Sequence, residues 1–125
     1  MAILSYRDLT VWQKAMDLAI EVYRLTQGFP KTEEYRLTAQ TTRAAVSVPA
    51  NIAEGHARGT RKDYANFISI ASGSLAEVET FLTLSVRLGF ALETDVEIAA
   101  GLAAEIGRML AALRARLKQE AGSQA

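Results

Sequence analysis

The residues able to do chemistry concentrate in one stretch, Arg43 to Arg58, and its continuation to Lys62. Arg36, Gln40, Arg43, Ser47, Asn51 and Glu54 recur at steps of three and four, which places them on one face of a helix. Ser and Asn are weaker helix formers than the Glu, Lys and Gln that suit an exposed face. The stripe therefore reads either as a solvated outer face or as a polar seam at a helix or subunit contact. Folding this helix back on the next brings Arg43 opposite Glu77, and folding it on the preceding one brings Arg43 opposite Asp17. A buried pair of this kind would set register more than it would add stability. It would make Arg43→Ala costlier than Arg36→Ala. Pro49 lies in the same stretch. It cannot donate to the Ala45 carbonyl and its ring collides there, a cost of ~3 kcal/mol inside a helix. The spacing predicts a helix kinked at Pro49, with a break at Val48 as the alternative.

Gly55-His56-Ala57-Arg58-Gly59-Thr60-Arg61-Lys62 superficially resembles a phosphate loop. A Walker loop needs four residues between its glycines, then Gly-Lys-Ser/Thr, after a strand. Here three residues separate Gly55 and Gly59, and a helix precedes them. What remains is three fixed cations, Arg58, Arg61 and Lys62, with His56, beside the free N–H groups of a helix opening at Thr60. Such a cluster can hold a phosphate or contact a nucleic-acid backbone, or it is an ordinary solvated turn. Arg108, Arg114, Arg116 and Lys118 spread around the last helix instead of forming a stripe.

Other chemistry is sparse. The chain has no cysteine and a single histidine, so thiolate metal sites and multi-histidine sites have no ligands. Glu77 and Glu79 point about 200° apart on a helix and cannot share a proton. No Glu-x-x-His motif of a di-iron bundle occurs. The expectation is no catalytic residue, no metal, no cofactor and no enzyme activity.

Four long segments must position these residues. Gly28-Phe29-Pro30, Gly55 to Gly59, and Gly89-Phe90 divide the 125 residues. Each segment has helical period and none alternates as a strand does. The first helix is expected from Asp8, as N-cap, to Gln27, with Leu9, Trp12, Met16, Ala19, Tyr23 and Thr26 as its face. The second begins after Thr32, with Glu33 and Glu34 in its first turn, and reaches Gly55. Its apolar line is Leu37, Ala44, Val48 and Ile52. The third opens on Thr60-Arg-Lys-Asp63. It carries two apolar lines: Tyr64, Ile68, Ala71, Leu75, Val78, Leu82 and Ser85, and beside them Phe67, Ile70, Ser74, Phe81, Leu84 and Leu88. The second line makes this third helix either a central helix or one that also faces a neighbouring subunit. The fourth opens on Thr94-Asp-Val-Glu97, a capping box, and ends near Glu120. Its face is Ala99, Leu102, Ile106, Met109, Leu113 and Leu117. The fold class is all-α, an antiparallel up-down-up-down four-helix bundle. Residues 1–120 form one domain and residues 121–125 a frayed tail.

Net charge is zero but uneven: residues 1–62 carry +3, residues 63–107 carry −6, and residues 108–125 carry +3. No apolar run approaches the ~20 residues of a membrane span. The N-terminus lacks the pattern of a secretory signal, so a cytoplasmic location is expected.

Several segments, in order, carry a family resemblance: Leu9-Thr-Val-Trp-Gln-Lys-Ala15, Phe29-Pro-Lys31, Leu37-Thr-Ala-Gln40, Arg43-Ala-Ala-Val-Ser-Val-Pro-Ala-Asn-Ile-Ala-Glu-Gly55, Tyr64-Ala-Asn-Phe-Ile68, Ala71-Ser-Gly-Ser-Leu-Ala-Glu-Val-Glu79 and Leu88-Gly89. Together they resemble the four-helix-bundle proteins encoded in intervening sequences of bacterial 23S rRNA genes. That family is similar to the accessory proteins of diversity-generating retroelements. The likeness covers about residues 6–90, and Pro49 to Gly55 is its most specific part. It implies a non-enzymatic cytosolic homo-oligomer, a pentameric ring of bundles. For the retroelement relatives it implies binding of nucleic acid and reverse transcriptase. The functional expectation is a scaffold or binding protein acting as a ring, with nucleic-acid binding through the basic turn as the alternative.

Overall fold

The computed structural model describes the backbone of residues 5–123 and side chains through Gln119. Four helices account for most of it: α1 (Thr10–Thr26), α2 (Leu37–Ala57), α3 (Arg61–Arg87) and α4 (Glu93–Ser123). Short 3-10 turns at Tyr6–Asp8 and Lys31–Glu33 precede α1 and α2. There is no strand among the described residues. Each helix packs on the next in sequence, and α1 closes against α4. Ser47 meets Ser74 and Gly55 meets Phe67. Ser69 meets Arg114 and Leu75 meets Gly107. In both pairs the partner's number falls as the position rises, the register of antiparallel neighbours.

Helix entry differs from expectation at three places. Asp8 does not cap α1. It closes a capping box on Ser5, accepting from the Ser5 N–H at 3.1 Å, while Ser5 Oγ accepts from the Arg7 N–H at 3.0 Å. That box caps the 3-10 turn, and α1 starts two residues later without a side-chain cap. Glu33 and Glu34 do not lie in the first turn of α2, which begins at Leu37. Pro30 opens a 3-10 turn instead, and the buried Glu33 carboxylate reaches forward to accept from the Leu37 N–H at 3.3 Å. The charge still meets the positive end of the helix. At α4 the cap is Asp95, which accepts from the Leu92 N–H at 2.8 Å, and Thr94 is already helical. α3 opens as expected, with Thr60 Oγ1 accepting from the Asp63 N–H at 3.2 Å.

The α3 exit is a Schellman turn. Phe90 N–H donates to the Ser85 carbonyl at 2.9 Å and Gly89 N–H to the Val86 carbonyl at 3.0 Å. Gly89 takes φ +78°, which a residue without Cβ adopts freely. α2 runs unbroken through Pro49, so the break at Val48 does not occur. α4 continues three residues past Glu120, to Ser123. The rest of the tail lies outside the described residues.

The core lines of α2 and α3 match the sequence pattern. Leu37, Ala44, Val48 and Ile52 are buried, as are Ile68, Ala71, Leu75, Val78, Leu82 and Ser85. Buried hydroxyls bond backbone carbonyls one turn earlier, Thr41 to Leu37 at 2.7 Å and Ser85 to Leu82 at 2.7 Å. On α4 the buried line is Ala99, Ala103, Ile106, Leu110, Leu113 and Leu117, with Leu102 and Met109 half-buried beside it. α1 is turned relative to expectation. Its core line is Val11, Ala15, Leu18, Val22 and Leu25; of the expected face Ala19 and Thr26 are buried, Leu9 and Trp12 are half-buried, and Met16 and Tyr23 are exposed. Both lines are apolar, so periodicity alone does not separate them.

α3 also has the length and, with a mean hydropathy of 1.3, the composition of a membrane span. The count of uninterrupted apolar residues missed this. Its core line is buried against α2 and α4, and 33% of that most apolar window is buried.

α2 approaches α3 closely at Gly55. A Cβ there would sit 2.7 Å from Phe67 Cβ and 3.2 Å from the Tyr64 ring. Gly55→Ala would gain ~0.5–1 kcal/mol of helix propensity. It would lose about 1–3 kcal/mol to overpacking, because Phe67 Cβ is fixed to its backbone. The expected result is a net loss of stability in urea denaturation. A midpoint equal to or above that of the parent would show that α2 and α3 can part without cost.

Candidate assembly surface

The polar stripe of α2 divides by depth. Its middle is a seam. Ser47 Oγ and Ser74 Oγ lie 2.9 Å apart across α2 and α3, and Asn51 Nδ2 donates to the Ser47 carbonyl at 2.8 Å and to Ser47 Oγ at 2.9 Å. Ser74 is buried, while Ser47 and Asn51 are half-buried. The folded-back register thus places Ser47 one residue from its expected partner, Gly73. The ends of the stripe face outward. Arg36 pairs with Glu33 at 3.5 Å, and Glu54 with Arg58 at 3.1 Å. Arg43, Asp17 and Glu77 are all exposed, and among the described residues Arg43 pairs with neither acid. The expected buried pair is overturned, and with it the reason for Arg43→Ala to exceed Arg36→Ala in the folded chain. Small residues bring α2 and α3 too close to hold a long charged pair between them.

The cationic turn is largely occupied by its own contacts. Arg58 lies over the Phe67 ring at 4.8 Å while pairing with Glu54. His56 meets the Tyr64 ring edge-on at 5.6 Å. Thr60 takes the Asp63 N–H, one of the donors a phosphate would need. Arg61 and Lys62 are exposed. Burial pushes the Tyr64 phenol above its ordinary value, with Arg116 opposing. Elsewhere, Lys14 and Glu105 bridge α1 and α4 at 3.1 Å. No group of three or more potential metal ligands occurs among the described residues.

An apolar trough of about 550 Å³ opens between α1 and α2. Met16, Ile20 and Tyr23 form one wall and Val46, Pro49 and Ala50 the other. Ile20 is 65% exposed. Tyr6, packed edge-on against Trp12 at 5.2 Å, closes one end. A second cleft of about 510 Å³ shares Tyr23 and continues to Tyr35, which is 89% exposed. Sequence reasoning took Tyr6, Trp12 and Tyr23 for core or rim packing and placed Trp12, Met16 and Tyr23 on the packed face of α1, so it did not single out this surface. The available signal was that α1, like α3, carries two apolar lines where a core needs one. Pro49 belongs to the trough. Of the other residues singled out, Ser47 and Asn51 join the seam, and Glu77 lies on the outer face of α3.

Fold and surface define a four-helix protein whose organised features are packing seams and an open apolar trough. The chain belongs to the 23S rRNA-intervening sequence protein family, whose model matches residues 7–112. It is similar in structure to a protein of unknown function from the S23 ribosomal protein family of Bacteroides thetaiotaomicron, with 24% identity and a TM-score of 0.76 over 84% of this chain and 98% of that one. No protein with a curated description matches.

Two outcomes test the seam and the buried phenol. Ser47→Ala leaves the Ser74 hydroxyl without its partner and should cost about 1–3 kcal/mol. Adding Ser74→Ala should cost less than the sum, a coupling of roughly 0.5–3 kcal/mol in a double-mutant cycle. Strict additivity would remove the bond from consideration. Because its folded pKa is raised, the Tyr64 contribution is present below the unfolded value of 10.0 and fades as pH climbs through the folded value. Tyr64→Phe should therefore flatten the alkaline fall in stability above pH 10.0, and an unchanged slope would argue against it.

Proposed function

We propose that this protein is a non-enzymatic cytoplasmic scaffold that works as a ring-shaped homo-oligomer, a pentamer by its family resemblance. The observation that carries this is the exposed apolar trough between α1 and α2. Contiguous apolar surface on a soluble chain marks an interaction site, because leaving it in water forgoes about 25 cal/mol for each Å² that a partner would bury. Five copies related by rotation can each cover a neighbour's trough and leave no surface unsatisfied. Binding of a nucleic-acid backbone at the basic turn is the weaker reading. Arg58 is already engaged by Glu54 and Phe67, and net charge gives no general attraction to a polyanion.

Sedimentation equilibrium should return about five times the 13.6 kDa chain mass. Ile20→Asp, at an exposed trough position, should lower that mass without loss of helix content by circular dichroism. A monodisperse 13.6 kDa parent chain at micromolar concentration would reject the reading.

A further inference from the structure

We propose that the occupant of the α1–α2 trough is the outer ridge of α3 from a second copy, locked by an ion pair between Arg43 of one copy and Glu77 of the next. This rests on the self-assembly reading above and specifies its two faces. The ridge consists of Ile70, Glu77 and Leu84 at heptad spacing, with Leu88 at its end. Ile70 is 49% exposed, Leu84 39% and Leu88 53%. All three lie outside the buried core of their own chain.

Three observations match ridge to trough. The first is chemistry: both surfaces expose apolar side chains, and they lie on different helices. A second copy of this chain carries both surfaces, so a contact of ridge on trough covers an apolar face of each. The second is charge. Arg43 precedes Val46 by three residues and Ala50 by seven, which sets it on their face of α2 beyond the residues that line the trough. Glu77 lies between Ile70 and Leu84, both charges are exposed, and among the described residues neither forms an ion pair. The third is spacing. Arg43 is seven residues from Ala50 in the trough, and Glu77 is seven from both Ile70 and Leu84. Each interval spans about 10 Å of helix. An aliphatic knob seated over Ala50 therefore carries Glu77 to the level of Arg43. The pair that packing excludes within one chain is available between two.

The chain has no cysteine, so introduced thiols report contacts without background. Ile20→Cys marks the trough and Leu84→Cys the ridge. Oxidising a mixture of the two single variants should give the mixed disulfide, and the double variant should give a ladder of cross-linked species. Each single variant alone should stay unlinked. In a second arm, Arg43→Glu and Glu77→Arg should each raise the concentration needed for assembly by ten-fold or more, and the two combined in one chain should restore it. Self-linking of Ile20→Cys, or a charge-swapped double variant weaker than either single one, overturns the ridge-on-trough contact while leaving self-assembly standing. So does an oligomer that yields no Ile20–Leu84 link. A parent chain that sediments as a monomer, or one that co-floats as a monomer with phosphatidylcholine vesicles, overturns both readings.

Discussion

Everything else in this bundle depends on how closely α2 and α3 approach. Gly55 sets the limit, because its missing side chain leaves room for Phe67 and Tyr64. At that separation two hydroxyls, Ser47 and Ser74, can bond directly, while an arginine and a glutamate cannot fit between the helices. The same closeness turns Arg43 and Glu77 outward. A polar seam of small side chains has little rotamer freedom to lose, so ordering it costs little. It also fixes register, since a slip along the seam would leave a buried hydroxyl unpaired.

The second organising fact is a surplus of apolar surface. One line on each helix suffices to build a core, yet α1 and α3 each carry two. The core takes Val11, Ala15, Leu18 and Val22 from α1 and leaves Met16, Ile20 and Tyr23 outside. It takes Ile68, Leu75 and Leu82 from α3 and leaves Ile70 and Leu84 outside. The two remainders fall on different faces, one a trough and the other a ridge. That division is what gives a chain with little reactive chemistry an organised surface.

Much of the architecture was legible beforehand. The three Gly-containing breaks locate the helix boundaries within a few residues, and the lines through Val48 and Leu75 are the core lines. Capping was less legible. Asp8, Glu33 and Asp95 each accept a backbone N–H at the start of a helical segment, but none in the role expected of it. A carboxylate on a flexible stem can satisfy an end N–H from several positions, so composition near a terminus predicts a cap without predicting its geometry. The α1 face was misjudged for a related reason. Trp12 and Tyr23 are large and apolar, which suggests burial, but rings with a polar edge also suit the rim of a surface groove.

The sequence by itself determined that this is an all-helical chain, how many helices it has and roughly where they break, and which family it belongs to. These are local properties, carried by period, turn residues and a distinctive run around Pro49. Only the tertiary structure decided which of two apolar lines on α1 and α3 becomes core, that Ser47 pairs with Ser74, and that Arg43 stays outside. Those outcomes depend on the distance and rotation between helices. That geometry is set jointly by all the side chains at the contact, and no single helix encodes it.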